Sequence, residues 1–186
     1  MELGLALEPP LFLYVGSLIP SKGVTDLYQA WSRGPARSCG ALLALIGHGP
    51  LSSQLIRRAH ADGLAWQIIL PGTMPSPQVA RWMAACNAFC LPSHSEGCPN
   101  VILEALACGR PVVGSNVGGI PELLTDECGI LLPPQRPDLL AEAMEEALRR
   151  DWPDRAFAKR HTRSWTQVAE ETQAACELVL GKMNPV

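Results

Sequence analysis

Six short apolar runs, each stopped by glycine or proline and each followed by a helical pattern, constrain this chain more than any other feature. The runs lie at residues 11–15, 41–46, 67–70, 88–91, 111–113 and 129–132, and their stops are Gly16, Gly47, Pro71, Pro92, Gly114 and Pro133. The third is closed by the pair Pro71-Gly72. The runs are apolar throughout rather than alternating, which is the pattern of parallel strands covered on both faces. Helical spacing follows at 24–31, 51–61, 78–85, 99–108, 120–124 and 137–149. Regular strand–helix alternation predicts an α/β fold, a doubly wound Rossmann-like parallel sheet of about six strands. Such a sheet binds ligands beyond the carboxyl ends of its strands. The segments to inspect are therefore 16–23, 47–50, 71–75, 92–100 and 114–119.

The 186 residues fit one domain and a trailing helix, and 47% hydrophobic content is enough for a substantial core. Residues 1–10 read as a linker or tail, 11–150 as the folded domain, and 151–186 as a connector with a terminal helix. In that helix Trp165, Val168, Ala169, Thr172, Ala175, Cys176 and Val179 share one face, which should pack on something. A net charge of -3 with no dense Lys/Arg stripe argues against nucleic acid. No apolar run reaches the length of a membrane span, and the first ten residues lack a signal peptide's zones. The expected location is cytoplasmic. Seven cysteines without zinc spacing read as small, mostly buried thiols.

Three loops carry chemistry. The strongest is Pro92-Ser93-His94-Ser95-Glu96-Gly97-Cys98-Pro99-Asn100, running into Val101 and the helix that holds Glu104. Pro99 suits a helical first turn, and Gly97 permits close approach of a ligand. The free amides at this helix start favour anionic or hydroxyl oxygens. Glu104, flanked by Leu103 and Ala105, is expected to need a partner. Two ribose hydroxyls would serve; a capped helix with one buried, satisfied glutamate is the plainer alternative. The second loop, Gly16-Ser17-Leu18-Ile19-Pro20-Ser21-Lys22-Gly23, offers a point charge for phosphate at Lys22, or merely a turn with a solvated lysine. The third, 114–119, is glycine-rich and opens a short helix, again suited to phosphate. It lacks the spacing of a dinucleotide site.

Together these residues resemble retaining GT-B glycosyltransferases of family 4, also called group 1, in their C-terminal donor-binding domain. The resemblance runs from residue 11 to about 180. It rests on Gly16-x-Leu18…Lys22-Gly23, the turn Gly47-His48-Gly49-Pro50, Pro71-Gly72, Pro92-Ser93-x-x-Glu96-Gly97, the pair Glu96/Glu104, Gly109-x-Pro111-Val112-Val113 and Gly118-Gly119-x-x-Glu122. It implies a donor site for a UDP-, GDP- or ADP-sugar built from Gly16, Ser17, Lys22, Gly72, Thr73, Met74, Glu96, Gly97, Cys98, Pro99, Asn100, Val101 and Glu104. Lys22 would hold the diphosphate and Glu96 the donor sugar; these two are the candidate catalytic residues. The backbone of 97–100 would bind sugar and phosphate oxygens, Glu104 the ribose, and the 71–74 turn the base. His48 and Gly49 are secondary candidates. No metal is expected, since no Asp-x-Asp motif is present.

The sequence departs from its relatives at Ser17, where arginine is common, and at Cys98, where an aromatic is common. A preceding acceptor-binding domain is also expected, so this chain reads as an excised half of an enzyme, inactive by itself. Any peripheral membrane association would come through that other domain. The alternatives are a non-catalytic nucleotide-sugar-binding module and a related epimerase. A phosphorylase would need a pyridoxal phosphate lysine that no motif here supports.

Overall fold

The computed structural model describes residues 9–34, 38, 40–152 and 165–183. The terminal segment 1–8 and most of the expected connector, 153–164, lie outside the described residues. Six strands form one parallel sheet: β1 (Leu11–Val15), β2 (Leu42–Ile46), β3 (Ile68–Gly72), β4 (Ala88–Leu91), β5 (Val112–Ser115) and β6 (Gly129–Leu132). Among the described residues, seven α-helices alternate with or follow them: α1 (Val24–Arg33), α2 (Ser52–Ala61), α3 (Ser76–Ala85), α4 (Asn100–Ala107), α5 (Ile120–Leu123), α6 (Pro137–Arg149) and α7 (Trp165–Met183). A 3-10 turn, Pro20–Lys22, leads into α1. The expected α/β doubly wound sheet is therefore what the chain forms.

The strand order is β3-β2-β1-β4-β5-β6. The chain moves outward from β1 to β3, returns to the other side of β1, and moves outward again to β6. Right-handed crossovers place helices of the two halves on opposite faces. Accordingly α4 packs on α3 and α5, whereas α6, which follows the last strand and crosses between no two strands, turns back to pack on α1. Coverage of both faces explains the unbroken apolar runs: Phe12, Leu13, Tyr14, Leu43, Ala44, Leu45, Phe89 and Cys90 are all fully buried. Trp31 of α1 meets Phe12 edge-on, with ring centroids 5.9 Å apart.

The third strand corrects the sequence expectation. It does not close at Leu70 but continues through Pro71 to Gly72. β2 pairs Ala44 with Ile69 and Ile46 with Gly72, so β3 carries one extra residue at a bulge. Proline lacks an amide for a ladder, but β3 is an edge strand and can accommodate it.

The last helix forms where the spacing predicts one, but its apolar face is not covered. Among the described side chains of α7, residues 166–181, all are exposed except half-buried Val168. Leu178, Val179 and Leu180 are 64%, 56% and 62% exposed. The expectation of mostly buried thiols is met in part; Cys39 lies outside the described residues. Cys86, Cys90 and Cys128 are buried, Cys108 is half-buried, and Cys98 and Cys176 are exposed. Burial pushes the Cys86 thiol up to about 12, which keeps it protonated and inert.

Candidate functional site

The order of the sheet reverses between β1 and β4, so the loops that leave these neighbouring strands diverge and open a crevice above them. The β1 loop supplies Gly16, Ser17 and Lys22. The β4 loop supplies Glu96 and leads into α4. Between them lies a cleft of about 360 Å³ lined by Tyr14, Val15, Gly16, Ser17, Lys22, Leu91, Glu96, Pro99, Asn100 and Val101. A second cleft of about 260 Å³ shares Val15, Gly16 and Ser17 and extends to His48, Thr73, Met74 and Val79. The two make one groove across the top of β1, from the start of α4 to the loop after β3.

At the floor of the groove the Lys22 ammonium donates to Glu96 Oε1 at 2.7 Å. The Ser93 hydroxyl donates to the same oxygen, also at 2.7 Å. The Glu96 side chain is only 8% exposed and that of Lys22 29%. A carboxylate this buried needs such partners, because its desolvation is otherwise costly. With Oε1 engaged twice, Oε2 is left without a hydrogen-bond partner among the described residues. Tyr14, fully buried at the end of β1, donates its hydroxyl to the Ser17 carbonyl at 2.8 Å and so braces the β1 turn. Burial, and then the nearby Glu96 charge, push the Tyr14 phenol well above its ordinary range. It stays a donor at any physiological pH.

Helix α4 begins at Asn100 with Pro99 at its N-cap, one residue earlier than the first-turn position the sequence suggests. No described side chain caps it, and its first turn holds no acid. In this first turn the Ile102 amide donates to the Pro99 carbonyl at 3.0 Å, while the amides of Asn100 and Val101, residues that line the cleft, have no partner among the described residues. Asn100 and Val101 line the cleft, and Glu104 stands four and three residues on, along the same helix face. The expectation that Glu104 is a costly buried charge is corrected: it is exposed, and no described residue pairs with it. The apolar neighbours Leu103 and Ala105 misled because helical neighbours in sequence point to different faces.

The glycine-rich loop after β5 packs against the β4 loop. The Gly119 amide donates to the Gly97 carbonyl at 2.7 Å, so this loop supports the β4 loop from behind. Gly118 lies in the left-handed region at φ +54°, and a Cβ there would stand 1.8 Å from the Glu96 carbonyl oxygen.

Of the sequence-predicted residues, the structure gathers Gly16, Ser17, Lys22, Glu96, Pro99, Asn100 and Val101 around one cleft, and Thr73 and Met74 around its extension. His48, a secondary candidate, lines the extension, whereas Gly49 does not. Gly97 and Cys98 are exposed on the β4 loop outside the cleft walls, and Gly72 ends β3 below the extension. Sequence reasoning missed Tyr14 and the role of Ser93. The Ser-x-x-Glu spacing was available as a signal for Ser93. Tyr14 gave none, since it sits in a run buried on both faces.

A parallel sheet of this order, with its cleft at the switch point, is the fold of GT-B glycosyltransferases, as similarity to solved members confirms. The chain belongs to the family glycosyl transferases group 1, whose pattern its residues 9–150 match. It is 35% identical over 143 residues to a candidate teichuronic acid biosynthesis glycosyltransferase, TuaC, of Bacillus subtilis, covering 77% of this chain and 34% of that protein. It is 30% identical over 149 residues to the GDP-mannose-dependent alpha-(1-6)-phosphatidylinositol monomannoside mannosyltransferase of Mycobacterium tuberculosis, covering 76% of this chain and 39% of that one. Its fold matches that of Anabaena HepE, solved in complex with UDP, with a TM-score of 0.68 and 24% identity over 92% of this chain and 49% of that one. The chain thus spans about a third to a half of the length of these relatives. Among the described residues no helix is long and apolar enough to cross a membrane.

Proposed function

We propose that this chain is the donor-binding half of a retaining, family 4 glycosyltransferase, which moves a hexosyl group from a nucleoside diphosphate to an acceptor hydroxyl. The observation that carries this reading is the Lys22–Glu96 pair facing the uncapped start of α4 across one groove. The difficult charge in such a transfer grows on the departing diphosphate. An ammonium and a helix N-terminus aimed at that position stabilise it without reorganising. Lys22 takes the diphosphate and Glu96, through its unengaged Oε2, a hydroxyl of the donor sugar. Asn100 and Val101 offer amides to phosphate oxygens. Glu104 takes the ribose hydroxyls, and Thr73 and Met74 flank the base in the groove's extension. The acceptor is bound by a second domain, so this chain alone binds donor without transferring it. The reaction belongs in the cytoplasm, where nucleotide-sugars are the expected donors.

A thermal-shift panel of UDP-, GDP- and ADP-sugars tests the reading. A ligand at about 100 times its Kd stabilises the native state by roughly 2.7 kcal/mol, which shifts the melting midpoint by several degrees in a domain of this size. One base is expected to stand out, and the shift is expected to survive EDTA, because the chain supplies its own positive charge. If no nucleotide-sugar shifts the midpoint at millimolar concentration, the donor-site reading is wrong.

Calorimetry then separates the two glutamates. A charge-assisted hydrogen bond is about twice as strong as a neutral one, so Glu104→Gln is expected to weaken nucleotide-sugar and free nucleoside diphosphate alike, by about fivefold. Glu96→Gln is expected to weaken only the nucleotide-sugar. It also frees Lys22 from its counter-charge, so free diphosphate should bind at least as well as before. Equal losses of free diphosphate in both variants would refute this division of labour.

A further inference from the structure

We propose that His94 and Asp26 form a positioning pair that holds the Ser93–Glu96 turn in the geometry needed to read the donor's sugar. His94 Nε2 and Asp26 Oδ2 are 2.6 Å apart, joining the β4 loop to the first turn of α1 across 68 residues of sequence. Neither group is a freely solvated surface partner, with side chains 27% and 18% exposed. The His94 amide adds a second tie, donating to the Ser21 carbonyl at 2.8 Å, beside Lys22. On the other side of the ring, Gln135 Nε2 lies 3.4 Å from His94 Nδ1. An amide donor there leaves Nδ1 as acceptor and puts the ring proton on Nε2, aimed at the Asp26 carboxylate.

Gln135 itself is held at φ +59°, in the left-handed region that non-glycine residues seldom occupy. Strain of this kind persists only where surrounding contacts impose it. His94 lines neither part of the groove. It acts through the turn it anchors: Ser93 precedes it, and Glu96 follows two residues on, both meeting at one 2.7 Å hydrogen bond. Lys22 and Glu96 face each other because the β1 and β4 loops are pinned together at three nearby points. Those points are the His94–Asp26 pair, the His94 amide, and the close approach of Gly23 to Pro92. There a Cβ would stand 1.8 Å from the proline carbonyl oxygen.

The inference rests on the reading of Glu96 as the sugar contact, so its test pairs a ligand-free measurement with a ligand-dependent one. In His94→Ala and Asp26→Ala, amide hydrogen exchange across residues 92–99 is expected to quicken while the rest of the sheet keeps its protection. Calorimetry with the best nucleotide-sugar of the panel should show a Kd raised about fivefold, as for loss of one hydrogen bond, with free nucleoside diphosphate little changed. The double variant should lose no more than either single one, since the two residues share one interaction. His94→Gln, whose amide can still donate to Asp26, should restore sugar discrimination. Unchanged exchange in both variants overturns the proposal whatever the donor is. Equal weakening of both ligands overturns it too, by reducing the pair to general support. If exchange quickens but the wild-type chain binds no nucleotide-sugar, the donor reading fails, and the role assigned to the pair falls with it.

Discussion

Gly118→Ala is expected to destabilise the domain and abolish nucleotide-sugar binding together. The residue sits at φ +54°, where a side chain costs about 1–2 kcal/mol. That cost is the smaller part. The new Cβ would stand 1.8 Å from the Glu96 carbonyl oxygen, whereas carbon and carbonyl oxygen ordinarily approach to about 3.3 Å. The obstacle is backbone, so no rotamer relieves it; the β4 loop must move by more than about 1 Å. A hydrogen bond of 2.7 Å does not survive such a shift, and the Lys22 bond to Glu96 Oε1 spans from the β1 loop to the moving loop. Gly63→Ala is the matched control, since Gly63 has φ +68° and open space around its Cβ position. It should lower the melting midpoint by a few degrees, as expected of about 1 kcal/mol in a domain this size, and leave binding alone. Gly118→Ala should melt well below it. Retention of full donor affinity by Gly118→Ala would show that the contact behind Glu96 does not set the site.

Lys22→Ala is expected to weaken free nucleoside diphosphate by about tenfold to 150-fold, the range for a hydrogen bond to a charged group. Two losses act in the same direction. The ammonium no longer meets the phosphates, and Glu96, only 8% exposed, is left as an uncompensated negative charge on the wall they approach. The salt dependence of binding should also flatten, because a partly exposed cation's contribution is the one that added salt screens. Ser17 sharpens the expectation. It is exposed beside the cleft and carries no charge, so within the β1 loop the cationic contribution falls on Lys22 alone. Lys22→Ala combined with Glu96→Gln removes the bare carboxylate and should recover part of the lost affinity. Calorimetry at two salt concentrations decides the matter. Unchanged affinity and salt slope would make Lys22 a structural partner of Glu96 and nothing more.

The sequence by itself determined the sheet and the places to look. Runs such as 11–15 and 88–91 are apolar on both sides because parallel strands are covered on both faces, so burial is written locally. The loops after β1, β3 and β4 could then be singled out, and they do converge. What only the tertiary structure decided are relations between segments far apart in the chain. Lys22 reaches Glu96 across 74 residues because β1 and β4 are neighbours in the sheet. Gly118 and Gly119 pack against the β4 loop because β5 lies beside β4. Glu104 is exposed although its neighbours are apolar, and Pro71 lies inside an edge strand although proline usually ends one. Local pattern reports which residues leave water. Which polar groups meet depends on strand order and loop packing, and these emerge only when the whole sheet has formed.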